Sequence, residues 1–270
     1  MTPHQIIEQL QKAYDQKELS YENMIVQFAN IENIPFRSVF LKKGSSIIRA
    51  RCNRKPNSYT KLSHINNPPG SLVSNFSRLN RPLQSLFYGS DSVETCLSEM
   101  LNYWINDFEI NDRIFVTIGK WVLLEDIKLL LIPDTNNLNE LNLTRLGEIG
   151  IDEMVFWDFI SNKYKVSIKD DQDIYEFTSS FSNVLWLNAL KQNIPVKGFV
   201  YTSVMSNTGI NIALNPLSIS NNGLILQDVQ ELTFVKNNSN NNGLPVYNEI
   251  LKRKSGILNG LGKNITWTYK

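Results

Sequence analysis

The strongest constraint on this chain is a change of rhythm in its apolar residues. Up to about residue 33 they recur at helical spacing. After Pro35 they fall into short runs with a period near two, and the helical stretches between those runs keep no fixed order. Thr2-Pro3-His4-Gln5 reads as a capping box with proline at the first helical position, and Ile6, Ile7, Leu10, Ala13 and Tyr14 continue it as one stripe. A second helical pattern spans residues 21–33. Strand patterns follow at 39–41, 46–51, 85–88, 113–118, 121–132, 197–203, 211–215, 224–226, 232–235 and 265–269. Helical patterns begin at Asp91 and cover 151–160 and 174–190, with a short one near 246–253. Such mixing without regular βαβ alternation specifies an α+β fold. Residues 53–77 are rich in Asn, Pro and Ser and read as a loop, and 237–243 as a mobile one. With no repeat and no clean linker after Pro35, the expected organisation is a helical extension at 1–36 and one domain at 37–270. That domain carries a helical insertion at about 134–195.

Charge narrows the range of partners. The 270 residues include 27 basic and 26 acidic ones, a net charge of +1. A nucleic-acid binder shows a basic excess or stripe, so no direct nucleic-acid partner is expected, whereas a small anion held by a few arginines fits. Cys52 and Cys96 read as free thiols in a reducing compartment. The N-terminus has no basic segment leading into an apolar one. No apolar run approaches the ~20 residues that span a bilayer, and the strongest, 121–133, is broken by Glu125, Asp126 and Lys128. The expected location is the cytoplasm, without a membrane partner.

Several familiar chemistries fail on residue type. Two histidines and two cysteines cannot build a standard four-ligand zinc site, so no metal is expected. Gly256, Gly260 and Gly262 before Lys263 miss the phosphate-loop spacing, and Asn264 stands where that loop needs Ser or Thr. There is no G-x-S-x-G elbow, and His64 reads as a surface loop residue.

Three stretches remain. Arg49 and Arg51 lie within the apolar run Ile47-Ile48-Arg49-Ala50-Arg51. Ser77-Arg78-Leu79-Asn80-Arg81-Pro82 precedes Leu86-Phe87-Tyr88 and a helix carrying Glu99. Gly198-Phe199-Val200-Tyr201-Thr202-Ser203 forms a late strand. The helix is read with a capping box, Asp91 to Glu94, and an apolar stripe of Val93, Leu97, Met100, Leu101 and Trp104. Glu99 falls opposite that stripe. It is therefore either an exposed glutamate or a carboxylate lining a cleft on the helix's far side.

The segment 77–100, SRLNRPLQSLFYGSDSVETCLSEM, resembles the central signature of RES-domain proteins. In that family a Gly-Arg-x-Asn-x-Pro turn precedes a strand ending in Tyr, and a helix then supplies a glutamate. Arg49 matches the early arginine, Tyr88 and Glu99 keep the family's separation, and Gly198-x-x-Tyr201-x-Ser203 matches the late serine motif. Strand alternation cannot choose between Arg49 and Arg51; the resemblance chooses Arg49. Ser77 departs from the usual glycine, and Met205 stands where an arginine often follows.

The resemblance implies an ADP-ribosyltransferase-like fold, a split mixed sheet around an NAD⁺ cleft with flanking helices. It also implies a toxin that degrades NAD⁺ or transfers its ADP-ribose, held in check by a Xre-type antitoxin or another inhibitory protein. NAD⁺ is then substrate, with no resident cofactor. Glu99, Arg49, Tyr88 and Ser203 are the expected catalytic residues, and Arg49, Arg78, Asn80, Tyr88 and Ser203 the expected NAD⁺ contacts. The residue types suit the task. A carboxylate stabilises the oxocarbenium-like centre formed as nicotinamide leaves, and arginines hold a diphosphate in two-pronged fashion.

Overall fold

The computed structural model describes residues 2–16, 20–31, 34, 36–56, 59–104, 108–135, 150–166, 173–206, 208–219, 223–239, 245–259 and 264–269. The N-terminal capping box forms as the sequence specifies: the Thr2 hydroxyl accepts from Gln5 N, and the Gln5 side chain accepts from Thr2 N at 2.9 Å. It starts α1 (Pro3–Asp15), and Ser20 caps α2 (Tyr21–Ala29). Pro35 lies outside the described residues. Among the described residues there follow β1 (Arg37–Leu41), β2 (Ser46–Asn53), α3 (Leu62–Ile65), β3 (Phe87–Ser90), α4 (Val93–Trp104), β4 (Arg113–Leu123) and β5 (Ile127–Ile132). Then come α5 (Ile151–Lys165), α6 (Ile174–Lys191), β6 (Val196–Thr202), β7 (Ile210–Leu214), β8 (Leu224–Ser239), β9 (Pro245–Asn259) and β10 (Asn264–Tyr269).

The strands join in one sheet, in the order β1-β5-β6-β7-β3-β2-β4-β8-β9-β10. The β5–β6 pair is parallel and the others antiparallel, so the sheet is mixed and flanked by helices, an α+β fold. The sheet nearly parts in its middle. β2 follows β4 over eight residue pairs, yet meets β3 only at Ile48↔Ser90. Gly89 sits at this crossing, where a Cβ would fall 2.5 Å from the Ile47 side chain and 2.8 Å from Ile48 O. Any other residue there would force the two halves further apart.

Strand alternation separates two faces. On one, Ile47, Phe87, Trp121, Leu129, Leu131, Val200 and Ile212 pack together, with Ile65 of α3 against them. On the other, two cores lie side by side. Leu130, Ile132, Phe199, Tyr201 and Ala213 pack beneath α1, α2, α5 and α6. Ile48, Val116, Ile118 and Leu232 pack beneath α4 through Cys96, Val93, Leu97 and Met100. The first core includes Met24, Phe28, Trp157, Phe177 and Phe181, all nearly inaccessible, with Phe28 edge-on to both Phe177 and Phe181. The N-terminal helices and the 151–191 helices are thus one layer, built from the two ends of a long stretch of chain. No described helix is long and apolar enough to cross a membrane.

The structure departs from the sequence reading at several places. Residues 246–253 are strand, not helix: β9 pairs with β8 from Gln230↔Ser255 to Ser239↔Pro245 and with β10 on its other side. Two ladders of backbone hydrogen bonds override a weak local helical pattern. The segments 224–226 and 232–235 are one strand, continuous through Gln230, and 237–239 extend it rather than starting a loop; 240–243 lie outside the described residues. β4 runs on through Gly119 and Lys120, absorbing the expected break as an irregularity between Lys120 and Trp121. The loop at 53–77 contains α3 and a 3₁₀ turn at Gly70–Leu72. α2 stops at Ala29, short of residue 33. The α4 cap is Ser92, whose hydroxyl accepts from Thr95 N at 3.0 Å, so the expected box at Asp91 is displaced by one residue. The side chains of Leu101 and Trp104, part of the expected stripe, lie outside the described ones.

Candidate active site

Glu99 is brought to the sheet by α4, whose Cys96, Leu97 and Met100 anchor it on the β2–β4–β8 half. The carboxylate is not an exposed side chain. Its Oε1 accepts from Ser203 Oγ at 2.6 Å, Val204 N at 3.0 Å and Asn211 Nδ2 at 2.7 Å. Ser203 is buried just past β6, and Asn211 is buried on β7. The glutamate therefore ties a helix on one half of the sheet to two strands on the other.

Each of the three residues that define the serine motif has a physical reason to be there. Gly198 lets β6 and β7 approach: a Cβ there would fall 2.1 Å from Ala213 O. Tyr201 packs into the helix-covered core. Ser203 then lies on the same face as Tyr201, and its hydroxyl is fully engaged. It donates to Glu99 and accepts from Met205 N at 3.1 Å and Ser206 N at 3.0 Å. A hydroxyl has one donor and two lone pairs, so all three positions are used within the protein.

The Arg78 turn is held from Tyr88. The phenol donates to Asn80 Oδ1 at 2.8 Å and accepts from Leu79 N at 3.3 Å, while Ser77 N donates to Asn80 O at 2.9 Å. Asn80 is 2% exposed, so these bonds work away from water. Burial pushes the Tyr88 phenol well above its ordinary range and keeps it a donor. Arg78 lies over the Tyr175 ring, 5.7 Å from its centroid. Burial disfavours the guanidinium charge, but Tyr175, Tyr201 and Glu99 outweigh it and hold the pKa above its usual value. Arg78 Nη1 is buried without a hydrogen-bond partner. A buried, charged donor left unmatched is costly unless something else fills it, and an anion would do so.

Arg49 is elsewhere. By alternation it shares the face of Ile47, and its guanidinium sits 5.3 Å from the Phe87 ring centroid on that side. Its Nε donates to Ile65 O at 3.1 Å and its Nη1 to Tyr88 O at 2.6 Å. It thereby bridges the single-pair join between β2 and β3. Burial, with Arg51 beside it, pulls its pKa down to about 10, which leaves it charged at neutral pH. Arg51 donates to His64 O at 2.5 Å and covers Tyr59. His64, expected on the surface, is half-buried.

Of the residues singled out in the sequence, Glu99 and Ser203 are in direct contact, and Arg78, Asn80 and Tyr88 form one turn-and-strand unit whose arginine feels the Glu99 charge. Arg49 meets that unit through the Tyr88 carbonyl. Asn211 and Tyr175 were not singled out, and Tyr201 only as a member of the late serine motif, without a role at the site. Asn211 left one trace: a polar side chain facing inward within the otherwise apolar strand Ile210–Leu214.

The fold and this geometry define an α+β protein in which one glutamate is clamped across a nearly split sheet, within electrostatic reach of an arginine that packs on Tyr175. The RES domain model matches residues 47–237, more than half of the chain, and the chain belongs to the RES-domain family. That membership is consistent with the RES-type toxins its central segment resembles. The comparison with curated proteins returned no match.

Proposed function

We propose that this chain is a RES-type toxin that cleaves the nicotinamide–ribose bond of NAD⁺. The observation that carries the reading is the pairing of a carboxylate anchored through one oxygen with Arg78, a buried guanidinium whose Nη1 has no partner. The arginine supplies the cation for the diphosphate, and the carboxylate supplies the negative charge for the reacting sugar. Tyr88 and Asn80 keep the Arg78 turn in place, and Ser203 holds Glu99 rather than the ligand. Arg49 acts at one remove, by fastening β3 to β2.

In the reaction the C1′–N bond breaks and its electron pair leaves with the nicotinamide nitrogen. The ring becomes neutral, so no strong general acid is needed. Positive charge builds at C1′, where a fixed carboxylate stabilises it; removing one such preorganised group costs about 10²–10³-fold in kcat. The nucleophile that completes the bond decides the outcome. Water gives ADP-ribose and releases a proton, inorganic phosphate gives the 1″-phosphate, and a protein side chain gives an ADP-ribosylated protein.

Purified protein incubated with NAD⁺ alone, with phosphate and with cell lysate distinguishes these outcomes by chromatography of the products. The reading expects free nicotinamide in step with NAD⁺ loss. Label carried only into protein would instead favour the transferase, and unchanged NAD⁺ in every arm would leave a RES-like interaction module.

A further inference from the structure

We infer that Asn211 is a positioning residue that divides the two oxygens of Glu99 between tasks, Oε1 held by the protein and Oε2 kept for the ligand. The inference rests on reading Glu99 as the working carboxylate. A carboxylate offers about four acceptor sites, and every described donor to Glu99 lands on the same oxygen: Ser203 Oγ, Val204 N and Asn211 Nδ2. No described residue donates to Oε2. Saturating one oxygen and leaving the other bare fixes the plane of the group and the direction in which its free lone pairs face.

Among these donors Asn211 is the one carried by a strand. Ser203 and Val204 belong to the segment after β6, whereas Asn211 pairs with Tyr201 on one side and with Ser90 on the other. Its amide has a single workable orientation. An ionised carboxylate only accepts, so the NH₂ must face Glu99, and Oδ1 must accept. It does, from Ser90 Oγ at 2.8 Å. Ser90 is 3% and Asn211 5% exposed, so water cannot replace either bond. Ser90 also sits at the one pair where β2 meets β3. The line Ser90–Asn211–Glu99 therefore carries the geometry of the join to the carboxylate. A side chain that acts by orienting another is expected to change kcat more than KM.

The test compares wild type, Asn211→Asp, Asn211→Ala, Glu99→Gln and Asn211→Asp/Glu99→Gln, each by NAD⁺ kinetics and by Tm. Asn211→Asp keeps the size of the side chain and the Ser90 bond but replaces the donor with a like charge. The expected result is a fall in kcat of about 10²-fold with KM within a few-fold, and a smaller fall, about 10-fold, for Asn211→Ala. The expected Tm loss from Asn211→Asp shrinks when residue 99 carries no charge, because the repulsion it creates is then absent. Unchanged kcat in both Asn211 variants, or Tm losses that simply add, would overturn the inference. A wild type that leaves NAD⁺ intact would overturn the NAD⁺ reading alone, since the thermal coupling registers Asn211 on Glu99 without turnover.

Discussion

Arg78 and Arg49 were expected to share one diphosphate, and the fold gives them different surroundings. Arg78 lies on the helix-covered face of the sheet, against Tyr175 and within reach of the Glu99 charge, with Nη1 unmatched. Arg49 lies on the opposite face over Phe87, with two donors used on backbone carbonyls. Both are guanidinium groups taken largely out of water. The difference is what satisfies them. The described donors of Arg49 end on main-chain oxygens, as those of a scaffold arginine do, whereas Arg78, hydrogen-bonded to Tyr175, keeps Nη1 without a partner, and the proposed ligand role rests on that donor. Residue type and position in a motif cannot tell these apart; the hydrogen-bond partners can.

Replacing each arginine in turn is the sharpest way to break the contrast. Arg78→Ala is expected to lower kcat/KM for NAD⁺ by about 10²–10³-fold, mainly through KM, because a charge-assisted two-pronged contact is lost. Arg78→Lys should recover part of it. Equal kcat/KM in wild type and Arg78→Ala would remove this residue from the ligand site. Arg49→Ala is expected to act on the fold instead. It strips the donors from Ile65 O and Tyr88 O and is expected to cost about 2–3 kcal/mol of unfolding free energy in urea titrations. The folded fraction should retain a KM close to wild type. A large KM rise at unchanged stability would restore Arg49 to the diphosphate.

Tyr88 joins the two regions, its carbonyl serving Arg49 and its hydroxyl the Arg78 turn. Tyr88→Phe keeps the first contact and loses the second, an expected loss of about 1 kcal/mol and a several-fold rise in KM. The raised phenol adds a pH signature. A folded-state pKa above the unfolded value of about 10 contributes stability that is complete below that pH and is lost as pH rises past it. The wild-type urea midpoint should therefore fall above about pH 10 more steeply than that of Tyr88→Phe. Parallel falls would mean the phenol is not the titrating group.

The smallest effect concerns the thiols. Burial pushes Cys96 to about 11 and Cys52 to about 12. Thiols react as thiolates, so neither should titrate with a disulfide reagent at neutral pH until the protein is unfolded. Rapid modification of the native protein accompanied by loss of activity would place Cys96 closer to the site chemistry than its packing indicates.

Much of the fold was legible because period and capping report local structure directly. α1, α2, α5 and α6 follow from their helical patterns, and the strand-to-helix passage at β3–α4 from Phe87, Tyr88 and a helix start read one residue early, at Asp91 instead of Ser92. β9 was not legible, because its state is set by partners on both sides that no local window contains. The site divides in the same way. Glu99, Arg78, Asn80, Tyr88 and Ser203 were singled out by their motifs, which place them in order along the chain. What each one touches depends on the face its strand turns inward and on which strands meet at the split. Hence the partner role of Ser203, the separation of Arg49 from Arg78, and the part played by Asn211 emerged only from the three-dimensional arrangement. The packing of α1 and α2 against α5 and α6 is of the same kind, since Phe28 meets Phe177 and Phe181 from far along the chain.

The central claim is that the Glu99 carboxylate drives nicotinamide release from NAD⁺, and one comparison tests it most directly. Nicotinamide release is measured for wild type and Glu99→Gln at saturating NAD⁺, with both proteins shown to be folded by matching circular dichroism and thermal transitions. Glutamine keeps the shape of the side chain and can still accept from Ser203, Val204 and Asn211, so the substitution removes charge and little else. The expected result is rapid release by wild type and a rate at least about 10²-fold lower for the variant, with NAD⁺ binding retained. Release by the folded variant within a few-fold of wild type would contradict the account.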